Sequence, residues 1–167
     1  ILFVGSVCCV YETETRLVKG SEKHFDDSLK WAGIKCDESP KKGGAYGPYK
    51  QSERKKIYSK YIKILIKKGA AYYAFDTKEE LDKHRKNHEL KGKTFIYNSH
   101  NRNKLNNSLN LSEEELKKKL DQKSYVVRFK TKKNSTVKCQ DLIRGKVSVS
   151  TKEIDDKILF KRDGMPT

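Results

Sequence analysis

Between residues 52 and 80 the chain runs through a helical repeat, a glycine, an aromatic strand run and a capping signature. This succession leaves room for little except a mixed α/β fold. Ser52 is placed as a helix N-cap, and Ile57, Tyr61, Ile64 and Leu65 follow at i, i+4, i+7 and i+8, one face of a helix that Gly69 ends. Residues 71–75, Ala-Tyr-Tyr-Ala-Phe, read as a short strand. Thr77-x-x-Glu80 is a capping box that opens a further helix with Leu81 inward and a charged outer face.

The same punctuation extends to both sides. Phe25, Leu29 and Ala32 share a helix face that Gly33 stops. Residues 37–49 carry Pro40, Gly43, Gly44, Gly47 and Pro48, so they form a loop. Ser112-x-x-Glu115 is a second capping box, with Leu111 and Leu116 flanking it as a hydrophobic staple. Residues 125–130, 136–140, 146–150 and 157–160 read as strands, the third from its period-two Val147 and Val149, and an Asp163-Gly164 turn follows the last. Residues 91–110 hold Lys, Asn, Ser and His without periodicity. They are expected to be a long exposed insertion or a partly disordered loop. Residues 1–10 are apolar without a basic leader, which predicts a buried strand in a chain starting mid-protein, not a signal peptide.

Composition narrows the partners. Lys and Arg total 38 against 22 Asp and Glu, a net charge of +16, which favours a polyanionic partner and nucleic acid first. Thirty-one of the 38 are Lys, so an AT-rich coding sequence is a rival cause of the excess. No apolar run reaches the roughly 20 residues that span a bilayer, which argues against a membrane protein. Cys8, Cys9, Cys36 and Cys139 contain no C-x-x-C pair, so neither a zinc ribbon nor a disulfide scaffold is expected, and a reducing cytoplasm fits.

Other clusters read as structural. His84 and His88 have metal-ligand spacing on a helix but no third ligand nearby, so a solvated face is expected. Glu113, Glu114 and Glu115 suit a first helical turn. Asp155-Asp156 reads as a strand-edge turn before a cation site. No phosphate-binding glycine loop and no Ser/His/Asp constellation is visible. Residue types alone stop at a basic α/β chain with nucleic acid as the favoured partner.

Longer motifs go further. Gly47-Pro48-Tyr49-Lys50-Gln51-Ser52-Glu53-Arg54, then Lys68-Gly69-Ala70-Ala71-Tyr72-Tyr73-Ala74-Phe75, resemble the G-P-Y-x-Q-S-x-R and K-G-x-A-Y-Y-x-F motifs of glutamyl-tRNA synthetases. Leu29-Lys30-Trp31-Ala32-Gly33-Ile34 with Asp37-Glu38, and Tyr125-Val126-Val127-Arg128-Phe129-Lys130, are similar to further family segments. So are Asp141-Leu142-Ile143-Arg144-Gly145 and residues 156–167, ending Asp163-Gly164-Met165-Pro166-Thr167. Order and spacing agree from Arg16 to Thr167.

The resemblance implies an α/β fold: part of a Rossmann-type class I synthetase catalytic domain with an inserted α+β domain that binds the tRNA acceptor stem. The implied layout is an atypical stretch at 1–15, part of the first Rossmann half at 16–75, the insertion at 76–155, and the return to the catalytic domain at 156–167. The family's R-I-E-D-T-D motif is not reproduced in Val10-Tyr11-Glu12-Thr13-Glu14-Thr15, and both ATP-binding motifs are missing. The chain therefore reads as an internal piece of a glutamate–tRNA ligase, inactive alone. The parent would be a cytoplasmic monomer taking glutamate, tRNA and ATP with Mg. Zinc is not expected, because the family's cysteine positions hold Ala74 and Asp76. Arg128 and Arg144 are the candidate tRNA contacts, with phosphate pairing and surface salt bridging both open. Tyr49, Gln51 and Arg54 are expected to pack their loop onto the helix it precedes. The alternatives are a stand-alone basic RNA-binding module and a truncated paralogue that glutamylates a tRNA base.

Overall fold

In the computed structural model, residues 19–167 are described. The strand expected in residues 1–10, the atypical stretch 1–15 and Arg16 lie outside them. Helix α2, Lys55–Lys67, contains the division of the chain into two compact units, at Lys60/Tyr61.

The described part of the first unit begins with helix α1, Ser21–Trp31. Its end is closed by Gly33 at φ 68 and by the Ile34 amide donating to the Leu29 carbonyl at 2.9 Å. The loop at 37–49 is followed by a 3-10 turn, Gln51–Arg54, before α2. Ser52 is therefore not the N-cap expected of it. It lies inside the turn, whose entry is Lys50, and no side chain caps that entry. The tighter turn keeps Arg54 Nη1 within 3.2 Å of the Pro48 carbonyl. Gly69, at φ 67, ends α2 as expected, with Ala70 N donating to Leu65 O. The stripe on α2 is only partly covered, for Tyr61 and Ile64 are exposed.

In the second unit, β1 (Ala71–Ala74), β2 (Val126–Phe129) and β5 (Ile158–Phe160) form one sheet in the order β1-β2-β5, antiparallel throughout. Each strand comes from a different expected segment. No parallel pair occurs among the described strands. Strands β3 (Thr136–Asp141) and β4 (Gly145–Ser150) make a separate two-stranded ribbon. Helices α3 (Lys78–Glu89) and α4 (Glu113–Asp121) start at the two expected capping boxes. Thr77 and Ser112 accept from the amides of Glu80 and Glu115, and both glutamates return the bond. Together these satisfy helix-end amides that water would otherwise have to reach.

The core of this unit corrects a sequence expectation. Residues 91–110 are not an exposed insertion: Tyr97 and Leu105 join Tyr72 and Ala74 at its centre, with Leu81, Phe95 and Val126 packed around them. Amide side chains make this possible. Asn107 is fully buried and donates to the carbonyls of Arg102 and Leu105. Asn98 donates to the Lys152 carbonyl, and Asn101 to that of Ile96. Asp76 accepts from the Tyr97 hydroxyl at 2.8 Å and from the Asn106 amide at 2.8 Å. A buried segment whose only regular element is the 3-10 turn Arg102–Lys104 must find partners for its backbone groups, and the asparagines supply several of them.

Candidate nucleic-acid interface

The β3–β4 ribbon is built by its turn. Asp141 pairs with Gly145 in the register, leaving Leu142, Ile143 and Arg144 as the loop. The Asp141 carboxylate accepts from the amides of Arg144 at 2.7 Å and Ile143 at 2.8 Å. These two amides, that of Arg144 first, hold its carboxyl below the ordinary carboxylate range. Gly145 closes the loop at φ 74, a left-handed backbone that suits glycine at the end of a three-residue hairpin loop.

The result is a projecting tip of unusual composition. Leu142 and Ile143 are 102% and 96% exposed, and Arg144 beside them is exposed too. Alternation along the ribbon puts Lys138, Gln140, Lys146 and Ser148 on one face. Val137, Cys139, Val147 and Val149 take the other, and Val137 there is half exposed. Exposed aliphatic groups gain nothing from water. Beside arginine and lysine, they give the tip both positive charge and exposed apolar area.

Arg128 sits differently. It lies in β2 and is 7% exposed. Its Nη1 donates to the Asp156 carbonyl at 2.8 Å, and its guanidinium lies 3.8 Å from the centre of the Tyr97 ring. The two candidate arginines are thus not brought together: one faces the interior and one the ribbon tip.

Beside Arg128 is a buried charge centre that the sequence did not reveal. Asp156 has no exposed surface, so it is not the strand-edge turn expected of it. Its carboxylate pairs with Arg102 at 3.0 Å and accepts from the Tyr72 hydroxyl at 2.7 Å and the Thr131 amide at 3.0 Å. The Thr131 hydroxyl donates to it as well. Arg102, 5% exposed, also donates through Nη2 to the Thr131 carbonyl. Burial, then the neighbouring Asp156, pushes the Tyr72 hydroxyl far above its ordinary value. Burial and Asp76 do the same to Tyr97. Both phenols therefore stay protonated as hydrogen-bond donors. Arg102 stood among Asn, Lys and His in an unpatterned run, and only its long-range partner distinguishes it.

In the first unit, the Gly-Pro-Tyr loop is held from within by Glu38, and of the three residues expected to pin it to the following helix only Arg54 makes such a link. The Tyr49 hydroxyl donates to Glu38, whose carboxylate also accepts from the amides of Ala45 at 3.2 Å and Tyr46 at 3.3 Å. These donors, Tyr49 first, hold the Glu38 carboxyl below its ordinary value. Gly44 is required there, because a Cβ at that position would collide with both Glu38 and Tyr49. Arg54 reaches Pro48 and packs near the Tyr58 ring. The Gln51 side-chain oxygen is buried without a partner.

His84 and His88 are half-buried against Phe95, the first stacked at 5.8 Å and the second edge-on at 5.2 Å, so they are not a freely solvated face. Among the described residues no group of three or more His, Cys, Asp or Glu is arranged to hold a metal. Nor is any helix among them long and apolar enough to cross a membrane.

Comparison with known proteins bears on all of these features. The family model for tRNA synthetases class I (E and Q), catalytic domain, matches residues 12–167. The glutamate–tRNA ligase of Christiangramia forsetii is 56% identical over 155 residues, covering 92% of this chain and 31% of that protein. The ligase of Flavobacterium johnsoniae is 52% identical over the same shares. A crystal structure of a glutamate tRNA ligase from Elizabethkingia meningosepticum, in complex with its amino acid, superposes with a TM-score of 0.85 at 50% identity. That match covers 94% of this chain and 31% of the other. The chain thus spans about a third of the length of the relatives it matches.

Proposed function

Because the chain belongs to the class I tRNA synthetases for glutamate and glutamine, catalytic domain, we propose that it is part of a glutamate–tRNA ligase and supplies a tRNA-facing surface of that enzyme. The observation that carries this reading is the 56% identity to a glutamate–tRNA ligase across 92% of the chain. The whole enzyme would use ATP with Mg to form glutamyl-adenylate and then esterify the tRNA 3′ end. Its gain would come from positioning and from stabilising phosphate charge. Within it, residues 16–75 are assigned to the first Rossmann half, 76–155 to the acceptor-stem insertion and 156–167 to the return toward the catalytic domain.

The ribbon is the part of 76–155 best suited to meet RNA. Arg144, at an exposed tip with Lys138 and Lys146 on the strands behind it, is the phosphate contact in this reading. Arg128 takes neither the phosphate contact nor the surface salt bridge left open for it: in this reading it is an interior residue that ties β2 to the Asp156 main chain.

A chimera tests this. The matching stretch of the Christiangramia forsetii ligase is replaced by residues 12–167, and glutamylation of tRNA is assayed. Charging is expected to persist, and Arg144→Ala in the chimera is expected to raise KM for tRNA while leaving KM for glutamate unchanged. A folded chimera that charges no tRNA contradicts the reading.

A further inference from the structure

One cleft in the second unit has no part in the ribbon or the buried charge centre. A cavity of about 220 Å3 lies between the C-terminal half of α3 and the chain that returns from it. His84 and His88 line it from the helix, Lys91 and Lys93 from just beyond the helix end, and Phe95 and Lys104 from the returning segment. Both imidazoles rest on the Phe95 ring. The three lysines are exposed, none has an ion-pair partner among the described residues, and no carboxylate lines the cavity. A second cavity, lined by Arg85 and Arg128, differs in carrying Glu153 and Asp155, which offset its positive charge.

Three lysines lining one cavity without a counter-charge favour an anion. The end of α3 works against this through its carbonyl dipoles. Those carbonyls are already engaged: Lys86, His88 and Glu89 accept from the amides of residues 90–93. Gly92, at φ 64, allows the chain to wrap back closely enough for that. The cavity is smaller than the roughly 300–1,000 Å3 that enclose a whole small-molecule ligand. One unit of a polymer suits it better. His88 Nδ1 lies 2.7 Å from the His84 carbonyl, which can only accept. Nδ1 therefore carries a proton, which leaves Nε2 as the ring nitrogen to meet a sugar hydroxyl.

We propose that this cleft takes one phosphate–ribose unit of an RNA strand, Lys91, Lys93 and Lys104 pairing the phosphate and His88 meeting a ribose hydroxyl. The proposal rests on the tRNA reading above and adds to it a second contact that shares no residue with the ribbon. Its lysines and Phe95 come from residues that the sequence presented as an unpatterned loop.

The test uses the whole 167-residue chain and a glutamate tRNA transcript, titrated at several salt concentrations. The triple variant Lys91→Gln, Lys93→Gln, Lys104→Gln changes only exposed side chains, so it is expected to fold, with circular dichroism as the check. Its slope of log affinity against log salt is expected to fall by about 0.9, one phosphate's share. In a second arm, ribose 5-phosphate is titrated into 15N-labelled chain, with shifts expected at the amides of His88, Lys93 and Asn101. A triple variant that keeps the parent slope, while Arg144→Ala loses its unit, overturns the cleft and leaves the tRNA reading standing. Failure of the parent chain to bind tRNA, with ribose 5-phosphate still shifting the cleft, overturns the RNA assignment and the tRNA reading together. An equal loss of dextran sulfate binding in the variant also overturns the proposal, since any polyanion would then serve.

Discussion

Asp156 and Leu142 invert the usual rule of burial within one compact unit. The carboxylate is fully enclosed and paired with the Arg102 guanidinium, while the leucine stands wholly in solvent next to an equally bare isoleucine. Burying charge costs several kcal/mol per ion unless pairing and hydrogen bonds offset it, and exposing aliphatic surface forgoes its burial energy. The buried carboxylate is answered by Arg102, Tyr72 and Thr131, and Arg128 beside it meets a main-chain carbonyl and the Tyr97 ring. The exposed aliphatics have no such partners within the described chain. The first arrangement serves the fold, and the second makes sense for a surface that meets something else.

Substitutions in the two regions are therefore expected to separate stability from binding. The largest effect belongs to Asp156→Ala, which strands Arg102 in the interior. It is expected to lose about 3–5 kcal/mol, read as a large drop in the urea midpoint or failure to fold. Arg128→Ala removes the bond to the Asp156 carbonyl and the contact with Tyr97. A loss of about 1–3 kcal/mol is expected in the same measurement. Thr77→Ala touches neither region and provides the yardstick, costing about 1 kcal/mol through its cap. Leu142→Ser with Ile143→Ser is expected to change the unfolding free energy by less than about 0.5 kcal/mol. Were that pair to destabilise as Arg128→Ala does, the contrast between the regions would collapse.

Acid offers a finer probe of the tip. Asp141 is held below its unfolded value, so its contribution is fully present above that value, near pH 4, and is lost as pH falls through the lower folded one. The amide resonances of Ile143 and Arg144 are expected to stay constant from pH 7 to pH 5 and to move only in more acid solution. Asp141→Asn should abolish that acid transition.

What could be read from the sequence divides along a similar line. Both capping boxes, the glycine stops at Gly33 and Gly69, and the ribbon strands were legible because each depends on residues a few positions apart. Ser52 looked like a cap because the local pattern fits, but the turn that Arg54 makes with Pro48 displaced it. Residues 91–110 were misread for a physical reason. Their interior is held by amide side chains bonding to main-chain carbonyls, and hydropathy counts Asn98, Asn101 and Asn107 as surface. Arg102 and Asp156 meet only through the fold. Arg128 and Arg144 each stood in a family motif, yet only the structure separates an interior arginine from one at a tip.

The most direct measurement pairs two readings on one variant, Leu142→Ser/Ile143→Ser/Arg144→Ser: its urea midpoint and its affinity for a glutamate tRNA transcript across salt. The expected result is an unchanged midpoint with weaker binding and a salt slope reduced by about one unit. A variant that matches the parent in both affinity and slope would contradict the assignment of the ribbon as the tRNA-facing surface.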